Sequence, residues 1–240
     1  MQSPIDILAF AAHPDDVELS AAGTLLKHKA LGYSIGIVDL TQGELGSRGT
    51  IESRYSEAAA AAAILKLDAR VNLKMADGFF THSEENLRLI IEQIRRFRPK
   101  IVLANAITDR HPDHGKGSSL VTEACFLAGL KKIETTWDGT LQDAHRPQVV
   151  YHYIQDRMIK PDFVVDVTDF VEQKFEAIKA YKSQFWDPNS TEPQTPISGK
   201  EFFEFLRGRM AEFGRGIGTQ YAEGFTAERY VGINNLMDLK

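Results

Sequence analysis

Residues 12–18 read AHPDDVE and residues 108–117 read TDRHPDHGKG, so the chain carries two His-Pro-Asp sequences about a hundred positions apart. The first supplies His13, Asp15 and Asp16; the second supplies Asp109, Arg110, His111, Asp113 and His114. Adjacent carboxylates repel each other, and a cation relieves that repulsion. Two neutral imidazoles and one carboxylate leave a coordination position open for water, as in hydrolytic zinc sites. If one of the two adjacent aspartates binds a metal, the other is free to take a proton from the water. Spacing does not say which does which. The competing expectation is that Asp15 or Asp16 only caps the following helix while the histidines pack against it.

Both clusters follow apolar runs that read as buried strands, IDILAFA and KIVLAN. Between and after them short apolar runs (SIGIVDL, VNLKM) alternate with longer segments of helical period. Leu87, Ile90, Ile91, Ile94 and Phe97 keep the spacing of one buried helix face. Such a βαβ series predicts a Rossmann-like three-layer α/β sandwich, with a mainly parallel sheet covered by helices on both faces. Ligands of these sheets bind beyond the C-terminal strand ends, where the first and fourth strands are often neighbours. Both clusters would then face one crevice. The alanines from 58 to 63 continue a helix that packs closely on the sheet. Beyond residue 145 two more strand-like runs, QVVYHYI and DFVVDV, precede a helix over 170–185 and the polar segment WDPNSTEPQTPIS. No long linker separates them, so the expectation is one domain over residues 1–240 with a C-terminal extension.

The chain is 43% hydrophobic and 25% charged, with a net charge of -5. That balance argues against nucleic-acid binding, and Arg95, Arg96, Arg98 and Lys100 read as the basic end of a helix stopped at Pro99. No run approaches 18 apolar residues and the first ten lack a basic leader, which predicts no membrane association and a cytoplasmic location. The single cysteine, Cys125, reads as a buried structural thiol. His28, His82, His145 and His152 lie outside the clusters and read as structural. The glycines of GRGIGTQYAEG follow a helical segment and make a weak match to a dinucleotide loop.

AAHPDDVELSAAGTL, followed by TQGELGSRG and then HPDHGKG, resembles the LmbE-like, or PIG-L, family of zinc-dependent N-acetylglucosamine deacetylases. The late segments QFWDPNSTEPQTPIS and GTQYAEGF are similar to those of the bacillithiol biosynthesis deacetylases, which act on N-acetylglucosaminyl malate. The resemblance implies a zinc ion held by His13, Asp16 and His114, with Asp15 as general base. It implies that protonated His111 steadies the oxyanion while Asp113 holds its ring, and that Arg54 binds substrate. Glu44, Asp77 and Arg110 fall where pocket residues are expected. Iron(II) fits the same donors. Other amino sugars such as chitobiose, or a larger thiol conjugate, are the competing substrates, and a sugar- or nucleotide-binding module is the non-enzymatic alternative. A surface pairing of Arg54 with Glu52 or Glu57 competes with its substrate role. Family members are often homo-oligomers, and no sequence feature sets a subunit number.

Overall fold

The computed structural model describes residues 4–239. The apolar run Ile7–Ala11 forms β1, buried along its whole length as a strand covered on both faces must be. Then follow α1 (Asp16–Ala30), β2 (Ile35–Thr41), α2 (Ile51–Leu65), β3 (Ala69–Met75), α3 (Glu84–Phe97), β4 (Ile101–Ala104) and α4 (Pro112–Leu127). A short antiparallel ribbon, β5 (Thr136–Trp137) and β6 (Thr140–Leu141), leads to β7 (Val149–Tyr153) and β8 (Phe163–Asp166). The chain ends with α5 (Val171–Lys179), α6 (Glu201–Gly216) and β9 (Ala222–Ala227).

Seven strands make one sheet in the order β3-β2-β1-β4-β7-β9-β8. The first five are parallel, and β9 runs antiparallel to both its neighbours. Side chains alternate across the sheet, so β1 sends Leu8 and Phe10 to one face and Ile7, Ala9 and Ala11 to the other. On the first face they meet Ile90, Ile94 and Phe97 of α3 and Leu120, Val121 and Ala124 of α4. On the second they meet Val17, Ala21 and Leu25 of α1. Within the alanine run Ala58 and Ala61 turn inward onto α5, against Val171, Phe175 and Ile178, so the run packs on a helix and not on the sheet as expected. The fold is the expected three-layer α/β sandwich.

The basic cluster at the end of α3 is partly built into the fold, because buried Arg95 donates to the carbonyls of Ala128, Leu130 and Ile133 after α4. Cys125 is buried. Among the described residues no helix is long and apolar enough to cross a membrane.

Two further features depart from expectation. The helix over 170–185 is helical as α5 only from Val171 to Lys179. The C-terminal extension, moreover, is no appendage: it supplies β9, which lies between β7 and β8. Gly224 of β9 carries no side chain because the Phe213 ring of α6 packs there; a Cβ would lie 2.9 Å from it. The neighbouring Glu223 is buried, accepts the N–H groups of Gly23 and Thr24 in α1, and pairs with Lys174 of α5 at 2.6 Å. The last strand is thus fastened to the first and fifth helices. All seven long strands of the described residues share this sheet; residues 1–3 and 240 of the expected domain lie outside the description.

Candidate active site

Strand order reverses between β1 and β4, and both His-Pro-Asp sequences start just beyond these two strand ends. Their rings gather in one cluster, with centroids 4.6 Å apart for His13 and His111, 5.1 Å for His111 and His114, and 5.6 Å for His13 and His114. Asp16 lies between two of them, with Oδ2 3.6 Å from His13 Nδ1 and Oδ1 3.1 Å from His114 Nε2. The second nitrogen of each ring is taken by other carboxylates. His13 Nε2 is 3.0 Å from Asp77 and 3.4 Å from Asp113, and His114 Nδ1 is 2.5 Å from Asp109. This second ring of contacts fixes which nitrogen each imidazole presents, as partners of metal-bound histidines do. Asp16 is itself held by the amides of Asn105 and Gln155, at 3.0 and 3.1 Å, and by the His13 N–H.

The donor set therefore fits a divalent cation. Ring nitrogens of His13, His111 and His114 lie close enough to share an ion. A second group, His13 with Asp77 and Asp113, does so too. Its carboxylates, however, already accept the N–H groups of Leu45 and Gly78, and Asp113 also pairs with Lys116. That group is the anchor of His13. Burial alone would strip charge from these residues, but their mutual attraction outweighs it. Asp16 and Asp109 raise His114 to about 9, and Asp113, Asp16 and Asp77 raise His13 above the ordinary histidine value. His114 and His13 in turn hold Asp16 well below the usual carboxylate range. A metal held by these groups would take the place of the ring protons.

Asp15 differs sharply from its neighbour. Burial pushes its carboxyl up to about 7, with Arg54 opposing the rise and Asp16 adding to it. Its backbone has φ 122, a left-handed conformation that costs a non-glycine residue energy and is found where a site over-determines it. It makes no capping hydrogen bond to α1, so the capping alternative fails for Asp15. Arg54 of α2 is not on the surface: it is 6% exposed, donates to the Pro14 carbonyl at 2.5 Å, and lies 3.3 Å from Asp15 Oδ2. The loop after β2 passes over its guanidinium through Gly43, at φ +66, where a Cβ would come within 3.3 Å of Arg54 Nη1. The surface pairing with Glu57 is excluded as well, because Glu57 binds Ser183.

Three expectations for neighbouring residues need correction. The Asp113 carboxylate does not hold the His111 ring; its backbone N–H donates to His111 Nδ1 while the carboxylate faces His13, Gly78 and Lys116. Placed at the N-cap of α4, His111 is the nearest acceptor for that orphan N–H. Its surroundings also oppose protonation, since burial and then the cationic neighbours His13 and His114 lower its pKa. Glu44 is exposed and outside the cavity lining, with its oxygens accepting the Asp77 and Gln42 N–H groups. Asp77 does line the cavity, but as the partner of His13. Arg110 stands at the rim on Asp156.

Asn105 and Gln155 were not foreseen, because amides at strand ends carry no spacing signal. The remaining histidines bind elsewhere, His82 on Glu123, His145 on the Pro99 carbonyl, His28 on the Thr24 carbonyl and His152 on Ser118.

The cluster forms the floor of a cavity of about 310 Å³. Its outer wall comes from the C-terminal third, namely Thr195–Ile197 together with Phe202, Phe205, Leu206 and Arg209 of α6. The segment leading to that wall is fastened by buried Arg48, which donates to the Ser183 and Pro193 carbonyls and to Ser190 Oγ.

Residues 8–125 match the family model PIG-L, described as GlcNAc-PI de-N-acetylase. The chain is 29% identical over 229 residues to a diacetylchitobiose deacetylase of Thermococcus kodakarensis, covering 91% of this chain and 81% of that protein. It is 26% identical to a 4-oxalmesaconate hydratase of Pseudomonas putida (74% and 73% covered). It is also 25% identical to a probable N-acetyl-alpha-D-glucosaminyl L-malate deacetylase 2 of Bacillus anthracis (77% and 84% covered). Among solved structures, the conserved protein TT1542 of Thermus thermophilus superposes with a TM-score of 0.86 at 36% identity, covering 97% of this chain and 98% of that one.

Proposed function

We propose that this chain, whose residues 8–125 match the PIG-L model of de-N-acetylases, is a metal-dependent hydrolase that removes the acetyl group from an N-acetylglucosamine conjugate, N-acetylglucosaminyl malate in first place. The observation that carries this reading is Asp16 set between two histidines whose other nitrogens are occupied, beside a second carboxylate raised to about 7, on a cavity floor. The described chain acts as one domain, with His13, Asp16 and His114 holding the ion. Zinc is the metal of this proposal, and iron(II) is the other ion that suits the set. Such an ion polarises an amide carbonyl and acidifies water.

The side chains do the rest. Asp15 takes the proton from the attacking water, a task suited to a carboxylate raised to about 7, and passes it to the departing sugar nitrogen. Arg54 holds Asp15 and the Pro14 carbonyl in place, so its effect on substrate runs through the base. His111 accepts the Asp113 N–H at Nδ1, which puts the proton of its neutral ring on Nε2. From there it donates to the carbonyl oxygen as negative charge develops, a contribution of roughly 2.7 to 4 kcal/mol for one such donor. Acetate and the free amine leave.

The relative acting on diacetylchitobiose supports a second reading, in which the conjugate is an amino-sugar disaccharide. The hydratase relative uses water on a different bond, so the measurement must identify the product. Purified protein is to be assayed for acetate release from N-acetylglucosaminyl malate, diacetylchitobiose and N-acetylglucosamine, and for hydration of 4-oxalmesaconate, with metal content measured in parallel. Acetate release with about one ion per chain is expected. Hydration without acetate release would overturn the proposal.

A further inference from the structure

The family match ends at residue 125, whereas the outer wall of the cavity is built from later residues. The groups that act on the acetamide and those that meet the remainder of the substrate thus lie in different halves of the chain. Pro196, Ile197, Phe202 and Leu206 make the later wall largely apolar. Arg209 is set into it.

One terminal nitrogen of Arg209 donates to the Asp156 carbonyl, its guanidinium lies 4.6 Å from the Phe205 ring centroid, and its Nε is buried without a hydrogen-bond partner. No carboxylate among the described residues forms an ion pair with it. The neighbouring Arg110 uses only Nε, 2.7 Å from Asp156 Oδ2, and its side chain is 53% exposed. The two guanidinium groups thus meet at Asp156, where Arg110 takes the carboxylate and Arg209 only the backbone carbonyl, so the positive charge of Arg209 has no ion-pair partner on this wall. A cation half-withdrawn from water in apolar surroundings is unfavourable until an anion reaches it. The planar fork of arginine suits a carboxylate better than any other side chain does.

We propose that Arg209 is a specificity-determining residue that, together with Arg110, receives a carboxylate carried by the aglycone of the amino sugar. This rests on the de-N-acetylase reading and narrows its substrates to acidic conjugates. A neutral disaccharide stacked on Phe205 would leave the excess charge unmet.

The test compares wild type, Arg209→Lys and Arg209→Gln on N-acetylglucosaminyl malate and on methyl N-acetylglucosaminide, which lacks a carboxylate. Wild type is expected to favour the acidic substrate. The ratio of the two kcat/KM values should fall by about 10- to 150-fold in Arg209→Gln, mainly through KM, and by less in Arg209→Lys. A ratio equal in all three proteins, or a wild type that favours the neutral glycoside, would overturn the proposal. Calorimetric binding of the acidic conjugate separates this from the reaction itself. If wild type binds it without releasing acetate and Arg209→Gln does not bind it, the de-N-acetylase reading falls and the carboxylate site stands. Equal binding by both proteins, or none by wild type, removes the site. Should Arg209→Gln fail to fold, as melting would show, the comparison of wild type with Arg209→Lys decides by the same criteria.

Discussion

Asp15 and Asp16 are chain neighbours with opposite surroundings, one facing a single arginine at 3.3 Å and the other lying between two histidines. Asp15→Asn should therefore keep the metal and lose at least the roughly 100-fold that a general base contributes. Turnover near wild type with metal bound would take Asp15 out of the mechanism, and a metal-free variant would reverse the two roles. His13→Ala and His114→Ala should each purify without metal. Asp109, whose oxygen holds His114 Nδ1, acts one step removed. Asp109→Asn should weaken metal affinity by about 10- to 100-fold, as measured by competition with a chelator.

Among the elements, the segment over residues 186–200 and α6 carry the outer wall, and Arg48 fastens that segment by two bonds, to Pro193 and Ser190, and its approach by a third, to Ser183. Arg48→Ala should speed limited proteolysis within 186–200 and raise KM several-fold, with metal content unchanged. An unchanged cleavage pattern would show that α6 alone holds the wall. At the opposite, N-terminal end of the strands Asp6 ties three strand starts together, accepting from Ser34 before β2 and from Lys100 before β4. The Lys100 bond, more than any other contact, lowers its pKa from 3.8 to about 2. A lowered folded value means that the charged carboxylate stabilises the fold above about 3.8, and that this contribution is lost as pH falls from there through about 2. Since Lys100 is largely exposed, Asp6→Asn should cost only about 1 kcal/mol at neutral pH. Denaturant melts should show that difference vanishing near pH 2; a constant difference would assign it to packing.

At the scale of the molecule, β9 makes the C-terminal third part of the sheet, and Glu223 clamps it to α1 and Lys174. Breaking a buried pair from one side leaves an uncompensated charge. Glu223→Gln should thus destabilise by about 3–5 kcal/mol, and adding Lys174→Met should recover part of it. Additive losses in the double variant would mean that the pair is not coupled. A chain ending at residue 218 lacks β9 and exposes the facing edges of β7 and β8, so it should show no cooperative thermal transition.

The first four strands and helices, and the meeting of the two His-Pro-Asp sequences, were legible because βαβ periodicity and strand order follow from local patterns of apolar residues. Residues 7–11 could hardly be anything but a buried strand, and a parallel pair of strands brings their C-terminal loops together. Local pattern does not report which partner a side chain finds. Arg54 lies two residues after Glu52 and three before Glu57 in a helix, the setting of an exposed ion pair, yet tertiary packing buries it against Asp15. His111 is separated from Asp113 by a single proline, and only the start of α4 decided that the backbone N–H, not the carboxylate, would face the ring. Strand β9, with glycine and a buried glutamate, carries no apolar alternation to mark it; its place is set by Phe213, Lys174 and α1, contacts distant in sequence. The sequence by itself determined the fold class and the meeting of the two clusters, which depend on residue type and short spacing. The tertiary structure alone decided the pairing of each carboxylate and the outer wall of the cavity, because those depend on which distant groups burial brings together.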